Sequence, residues 1–204
     1  MSLLTNLRNL SNANGVSGDE GAVRRLVIDL IKDHVDELRV DTMGNVLAVK
    51  RARGQARLRV MLDAHLDEIG FMLFGANSDG SLRFRAVGGI DDRILPGKAV
   101  LVGPDRLPGV IGVKPIHLRP GDMSVVKIAD LAIDIGAAGE SEANSAVQIG
   151  QTAVFATEFR TWNGTASGKA LDDRAGCAVL IEIFQPMRAD HFLGSVTTHL
   201  PPPL

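Results

Sequence analysis

The feature that most constrains the fold is a change of periodicity that occurs twice along the chain. In the first part of the chain, apolar residues recur at the spacings of helices and of strands. From about residue 70 to residue 159 they form short strand-like runs, and helical spacing returns after Gly168. An insertion explains this order better than two domains in series. We therefore expect an α/β domain formed by residues 1–69 and 164–204, interrupted by a β-rich domain over residues 70–163.

The first segment predicts a helix, a hairpin and a buried strand. Ser17-Gly18-Asp19-Glu20 has the spacing of a capping box, so a helix is predicted to begin there. The apolar residues that follow at helical spacing are Val23, Leu26, Val27, Leu30 and Ile31. Strand-like runs then cover residues 38–40, 46–49 and 58–62. This order of elements is typical of an α/β layer.

The remaining elements follow from similar patterns. The inserted segment contains β-like runs at residues 71–74, 82–87, 99–102, 109–113 and 131–135. After Gly168 one helical face carries Cys177, Leu180, Ile181 and Phe184, so Cys177 is expected to be a core residue and not a nucleophile. Because Pro186 and the prolines at 201–203 break helices and central strands, no complete element is expected after Phe184.

Composition excludes several classes of partner. The formal net charge is −2 and only 4% of residues are aromatic, with no Tyr, which argues against nucleic acid. No apolar run approaches the length of about 20 residues that a membrane helix needs. One cysteine cannot form an intramolecular disulfide, and the start of the chain lacks the pattern of a secretory signal, so a cytoplasmic location is expected.

The first candidate site follows a strand, in Met61-Leu62-Asp63-Ala64-His65-Leu66-Asp67-Glu68. Strand geometry sends residues 65 and 67 to the same side. A neutral imidazole is a good ligand for Zn²⁺ or Co²⁺, and a neighbouring carboxylate can orient the ring and raise its basicity. Asp67 is the candidate for that second role. Taken alone, the motif favours a set of solvated polar residues at the end of a strand.

The second candidate site is Gly168-Lys169-Ala170-Leu171-Asp172-Asp173-Arg174, where a loop turns into an amphipathic helix. A carboxylate at such a point can bridge two metal ions, which a two-metal hydrolase needs in order to clamp the charge that develops in its reaction. Alternatively, Asp172 and Asp173 cap the N-terminus of the helix, where negative charge is stabilised. Taken singly, this motif favours the capping role over the metal-bridging one.

Together, these two motifs and the segment between them resemble a known family. The strings VMLDAHLDEIGFM, RAVGGIDDRILPG, KIADLAIDIGA and GKALDDRAGC are similar to those of the tetrahedral (TET), or glutamyl, aminopeptidases, which are cytosolic metallopeptidases also described as endoglucanase-like or CelM-like. Four separated strings keep their order and approximate distances, and the similarity extends from about residue 4 to residue 184.

The resemblance implies an α/β metallopeptidase domain of the phosphorylase/hydrolase-like sheet-and-helix type, incomplete here, interrupted by a small β-barrel-like dimerisation domain. It implies peptide substrates, release of N-terminal amino acids, a homo-oligomer built from dimers, and two divalent ions per site, zinc or cobalt. In that pattern His65 binds one metal, Asp172 bridges both, and Asp67 acts in catalysis by orienting His65. Asp173 is a candidate to support these ligands.

The chain also departs from the family pattern. Family members continue with a strand bearing a Glu-Glu pair and later supply an Asp and a His ligand, and none of these is matched here. After Phe184 the possible ligands are Asp190, His191 and His199. Since catalytic zinc normally has at least three protein ligands, we expect doubtful metal occupancy and no activity of this chain alone. Its tail resembles a truncated or frame-shifted end.

Two other functions are considered. The chain could be a non-catalytic fragment that acts only through self-association of its β-rich domain. A glycoside hydrolase would need two carboxylates placed across a sugar site, and only scattered acids point to such a pair.

Overall fold

The structure, a computed structural model, describes residues 2–52, 58–113, 124–185 and 194–199, of which Leu58 and 194–199 are described by their backbone alone. The chain divides into two compact units, one formed by Met1–Glu68 with Glu158–Leu204 and the other by Ile69–Thr157. The sequence placed the corresponding boundaries after residues 69 and 163.

The elements follow in chain order. The first unit begins with α1 (Leu3–Asn12), α2 (Gly21–Ile31), β1 (Glu37–Val40), β2 (Val46–Lys50) and β3 (Leu58–Asp63). The second unit contains β4 (Gly70–Ala76), β5 (Leu82–Val87), β6 (Ala99–Val102), β7 (Leu107–Gly112), β8 (Ala132–Asp134), α3 (Glu140–Ala146) and β9 (Thr152–Phe155), with 3-10 turns at Asp92–Ile94 and Ile128–Asp130. The first unit resumes with β10 (Arg160–Trp162), β11 (Thr165–Ser167), α4 (Leu171–Phe184) and β12 (Gly194–His199).

The first unit is built on a sheet with the strand order β1-β2-β12-β3. Strands β1 and β2 form the predicted antiparallel hairpin, while β12 pairs antiparallel with β2 and parallel with β3. The expectation that no element forms after Phe184 is therefore wrong. The reason lies in Val196-Thr197-Thr198, since these β-branched residues favour a strand, and Pro186 and the prolines at 201–203 lie outside it on either side.

Both predicted helices of the first unit are confirmed, and their apolar faces meet in its core. This core consists of buried residues from α1, α2, α4, β2 and the segment after β3: Leu10, Val23, Val27, Leu30, Ile31, Val46, Ala48, Ala64, Leu66, Cys177, Ala178, Leu180, Ile181 and Phe184. Cys177 is buried as expected, and burial raises the pKa of its thiol to about 12. A thiol that stays protonated is a poor nucleophile.

The predicted capping box does not form. Helix α2 begins at Gly21, and its N-cap residue Glu20 makes no hydrogen bond from its side chain to the first turn of the helix. Gly18 adopts a positive φ of 88°, which turns the chain away from the helix axis, and its N–H donates to Glu20 Oε1 at 2.5 Å. The Ser17 hydroxyl is used elsewhere, as described below. Helix α1 was not predicted at all.

The second unit is a closed barrel with the strand order β4-β5-β8-β7-β6-β9, which confirms the barrel that the resemblance implied. Alternate residues of β4 and β5, such as Phe71, Leu73 and Phe84, are buried in its interior. The ring of Phe71 lies edge-on to Phe84 and Phe155, with centroids 5.0 Å and 5.2 Å away. Helix α3 was missed by the sequence analysis.

Among the residues that the structure describes, no helix combines the length and the apolar character that crossing a membrane requires.

Candidate metal centre

The segment that follows β3 separates its apolar side chains from its polar ones. Ala64 and Leu66 are buried in the core, whereas His65 and Asp67 lie on the opposite side and are partly exposed. This is the alternation that extended backbone imposes. The core thus holds the backbone of this segment and leaves the imidazole and the carboxylate free to face the start of α4.

The two aspartates at the start of α4 do different things. Asp172 Oδ1 lies 3.0 Å from His65 Nε2. Asp173 Oδ1 instead accepts a hydrogen bond from the Gly176 N–H at 3.0 Å, as a helix cap does. Both residues have non-helical φ and ψ, and the peptide bond between them is cis. The position of Asp172 is thus compatible with binding a metal ion, and that of Asp173 with capping the helix.

His65 contacts a carboxylate at each ring nitrogen. Its Nδ1 lies 2.9 Å from Asp67 Oδ1, and its Nε2 faces Asp172. Ionised carboxylates only accept hydrogen bonds, so both contacts are satisfied when both nitrogens carry a proton. Partial burial acts to lower the pKa of His65, but the hydrogen bonds to Asp172 and Asp67 outweigh it and raise the pKa above its usual value of 6.5.

This arrangement predicts how His65 titrates in the metal-free protein. We expect its pKa to exceed 6.5 and to fall in Asp67→Asn, which removes a carboxylate that faces the ring. Because the folded-state pKa is the higher one, the two contacts stabilise the protein below pH 6.5, and this contribution is lost as the pH rises through the folded-state value. NMR titration of the ring protons measures the pKa. Asp173→Asn is the control, and an equal fall in that variant would contradict the assignment.

Ser17 was not predicted to belong to this site. Asp67 uses one carboxylate oxygen for His65, and its second, Oδ2, accepts a short hydrogen bond from the Ser17 hydroxyl. The Asp67 side chain is only 14% exposed. A chain of contacts thus joins Ser17, Asp67, His65 and Asp172. The sequence held no signal for this, because the hydroxyl matched a helix cap.

A buried ionic cluster of Glu68, Lys169 and Arg174 flanks these residues along the chain and was also missed. Lys169 Nζ donates to Glu68 Oε1 at 2.6 Å and to the Ala13 carbonyl at 2.9 Å. Arg174 donates to the carbonyls of Leu66 at 2.5 Å and Leu10 at 2.6 Å, and its side chain is fully buried.

The cluster ties three segments of the chain together. Glu68 directly follows Asp67, and Lys169 and Arg174 lie three residues before and two residues after Asp172. Lys169 and Arg174 both donate to backbone carbonyls at the end of α1. The backbone on either side of the His65–Asp172 contact is therefore held by buried, charge-assisted hydrogen bonds, which are stronger than neutral ones.

The donor atoms present fit part of a metal site. Ligand atoms around a tetrahedral zinc ion, at about 2.0–2.2 Å from the metal, lie roughly 3.3 Å apart. The separation of 3.0 Å between His65 Nε2 and Asp172 Oδ1 is close to this value. Over the described ranges, however, no group of three or more His, Cys, Asp and Glu residues could hold a metal ion. His65 and Asp172 thus present two donor atoms to one point, whereas a catalytic zinc site needs at least three protein ligands.

The other possible ligands named from the sequence lie in the last part of the chain. Asp190 and His191 are outside the described residues. His199 ends β12, and its Cα is paired with that of Asp63 in β3. The end of β12 therefore lies beside the end of β3 that leads to His65, but the side chain of His199 is not described.

The structure defines the class as an α/β protein with an inserted barrel and a facing histidine and aspartate, and comparisons with known proteins identify its family. A family sequence model described as M42 glutamyl aminopeptidase matches residues 44–200. The chain is 37% identical over 182 residues to a putative aminopeptidase of Acetivibrio thermocellus, covering 89% of this chain and 53% of the relative. It is 33% identical over 184 residues to the lysyl aminopeptidase of Pyrococcus furiosus, covering 86% of this chain and 52% of the relative.

A solved structure agrees with these relatives. The TET1 peptidase of Pyrococcus horikoshii, which can assemble into a tetrahedron or a large octahedral shell, superposes with a TM-score of 0.86 at 40% identity, over 98% of this chain and 60% of that one. The chain belongs to the M42 glutamyl aminopeptidase family. It spans about half the length of the curated relatives that it matches. The similarity also continues beyond residue 184, where the sequence analysis ended it.

Proposed function

We propose that the chain carries part of the metal centre of an aminopeptidase that removes N-terminal amino acids from peptides. The proposal is supported by membership of the M42 family and by the approach of His65 Nε2 to Asp172 Oδ1 within 3.0 Å. These residues are more than a hundred positions apart in sequence, and their side chains face the same point. That convergence is the observation on which the proposal depends.

Each residue of the site has a defined task in this proposal. His65 gives up the proton on Nε2 and offers that nitrogen to a divalent ion, which makes metal binding weaker as the pH falls. Asp67 keeps the proton on Nδ1 and so fixes the tautomer and the direction of the ring. Asp172, whose side chain is 95% exposed, has a second oxygen available for another ion. A bound divalent ion would act as a Lewis acid on the peptide carbonyl.

The substrate class, the metal and the assembly are part of the same proposal. Relatives named as lysyl and glutamyl aminopeptidases support peptide substrates, and the imidazole and carboxylate donors suit zinc or cobalt. The TET1 peptidase assembles into closed shells, which supports a homo-oligomer built from dimers. A single, buried cysteine supports a cytoplasmic location. With two ligands from the described residues, the chain by itself is expected not to turn over substrate.

The proposal is tested by measuring metal binding and activity in the same samples. We expect Co²⁺, followed by calorimetry and visible absorption, to bind the wild-type chain only weakly, because the described residues offer two ligands, and to bind His65→Ala and Asp172→Ala at least about tenfold more weakly still. Asp173→Asn serves as the matched control and should bind as the wild type does. Amino-acid p-nitroanilides should not be cleaved.

Two results would overturn parts of the proposal. Binding that is absent, or that is unchanged in His65→Ala, would refute the metal centre. If the wild-type chain turned over substrate robustly and Asp172→Ala abolished that turnover, our expectation that the chain is inactive by itself would be refuted.

A further inference from the structure

We propose that Ser17 is a positioning residue of this metal centre, because its hydroxyl fixes the carboxylate of Asp67 and, through it, the ring of His65. The inference rests on the proposed function and adds a residue that the family resemblance did not assign. Its starting point is the hydrogen bond from Ser17 Oγ to Asp67 Oδ2.

The two oxygens of Asp67 have different partners, and this defines the plane of the carboxylate. Oδ1 faces His65 Nδ1 at 2.9 Å, and Oδ2 is held by Ser17. A carboxylate held by one oxygen only can rotate about its last torsion, which is broad and has no sharp minima. The second hydrogen bond removes that freedom. His65 then receives its hydrogen bond from a fixed direction, and Nε2 points at Asp172 without an ordering cost at the moment of metal binding.

The backbone that carries Ser17 is itself fixed to the segment that it serves. The Glu68 N–H donates to the Gly15 carbonyl at 2.8 Å, and the Gly15 N–H donates to Glu68 Oε1 at 3.1 Å. Val16 forms a parallel bridge with Glu68 and is fully buried. Residues 15–17 and 67–68 therefore form one hydrogen-bonded pair of segments. The Ser17 hydroxyl is presented to Asp67 from rigid backbone on both sides of the contact.

Ser17 lies three residues before Glu20, the N-cap residue of α2, and so stands outside the position from which a serine caps a helix. Its hydroxyl is directed to Asp67.

The test compares Ser17→Ala with Ser17→Thr in the full 204-residue chain. Ser17→Ala removes the hydroxyl, and Ser17→Thr keeps it. Ser145→Ala is the matched control, since Ser145 Oγ also donates one hydrogen bond, to the Ser141 carbonyl within α3. Three quantities are measured: the affinity for Co²⁺, the midpoint of thermal unfolding without metal, and the NMR signal of the His65 Nδ1–H proton, which needs no metal.

We expect Ser17→Ala to weaken Co²⁺ binding about tenfold and to lose the protected Nδ1–H signal, whereas Ser17→Thr and Ser145→Ala behave as the wild type. The unfolding midpoint should change by less than about 3 °C in each variant, because one partly exposed hydrogen bond contributes little to the stability of a chain of this size. Unchanged affinity and an unchanged Nδ1–H signal in Ser17→Ala would overturn the inference, and so would a large loss of stability that Ser17→Thr does not rescue. If the wild type binds no Co²⁺ but Ser17→Ala still loses the signal, the proposed function fails and the positioning role of Ser17 stands.

Discussion

Replacing Arg174 with alanine is expected to lower the free energy of unfolding by about 3–5 kcal/mol, because a buried donor of several hydrogen bonds is lost and Glu68, which keeps its contact with Lys169, loses part of its compensating charge. The Arg174 side chain is fully buried and Nη2 lies 3.7 Å from Glu68 Oε1. Burial lowers the pKa of the guanidinium, and the nearby Glu68 carboxylate opposes this shift. The variant also leaves the carbonyls of Leu66 and Leu10 without their donor.

Chemical denaturation followed by circular dichroism measures this change. Arg160→Ala is the matched control, because Arg160 is 80% exposed and its nitrogen lies 3.9 Å from Glu158. An exposed pair of this kind contributes between about 0 and 1 kcal/mol. A loss in Arg174→Ala no larger than that in the control would show that the buried cluster does not stabilise the fold.

The second large effect is expected in the barrel. Phe71→Ala should destabilise the barrel unit by about 3–5 kcal/mol, since it removes a fully buried ring and leaves a cavity. The edge-on contacts with Phe84 and Phe155 are lost with it. Such aromatic pairs add about 0.5–1.5 kcal/mol beyond the area that they bury.

Hydrogen exchange of the barrel amides measures this loss locally. Phe74→Ala, on the same strand, is the control: its ring is 39% exposed and is contacted on the outside by Arg83 and Arg85. Its replacement should cost about 1–2 kcal/mol, from two cation–π contacts at an exposed site. Equal effects of the two substitutions would mean that the barrel interior is not packed around Phe71.

Periodicity predicted the elements whose apolar stripes are long. Val23, Val27 and Ile31 define α2, and Cys177 and Ile181 define α4. Helix α1 was missed although Leu3, Leu7 and Leu10 recur at helical spacing and Ser2 precedes them as a cap. Two of its four leucines, Leu3 and Leu4, are exposed, so the pattern gives only a weak contrast between faces. Helix α3 has seven residues and a single buried one, Ala143, which leaves almost no periodic signal.

Some residues of the candidate site were likewise predicted from the sequence, and others were missed. His65, Asp67 and Asp172 were named from local motifs, because strand and helix geometry constrain neighbouring residues. Lys169 and Arg174 were not predicted to belong to the site, although they lie in the same sequence motif as Asp172. A charged residue beside a helix start is usually solvated. Their burial depends on backbone carbonyls near the end of α1, some 160 residues away, and carbonyl positions have no sequence signature.

The position of β12 has a consequence for the order in which the chain can fold. Within the described sheet, β12 is the strand that joins β3 to the β1–β2 hairpin. The ribosome releases β3 first and β12 last, with the whole barrel in between. At rates of about 5–20 residues per second, β3 waits roughly 7–26 s for the strand that links it to the hairpin. During that interval the N-terminal strands expose unpaired edges, which favour aggregation.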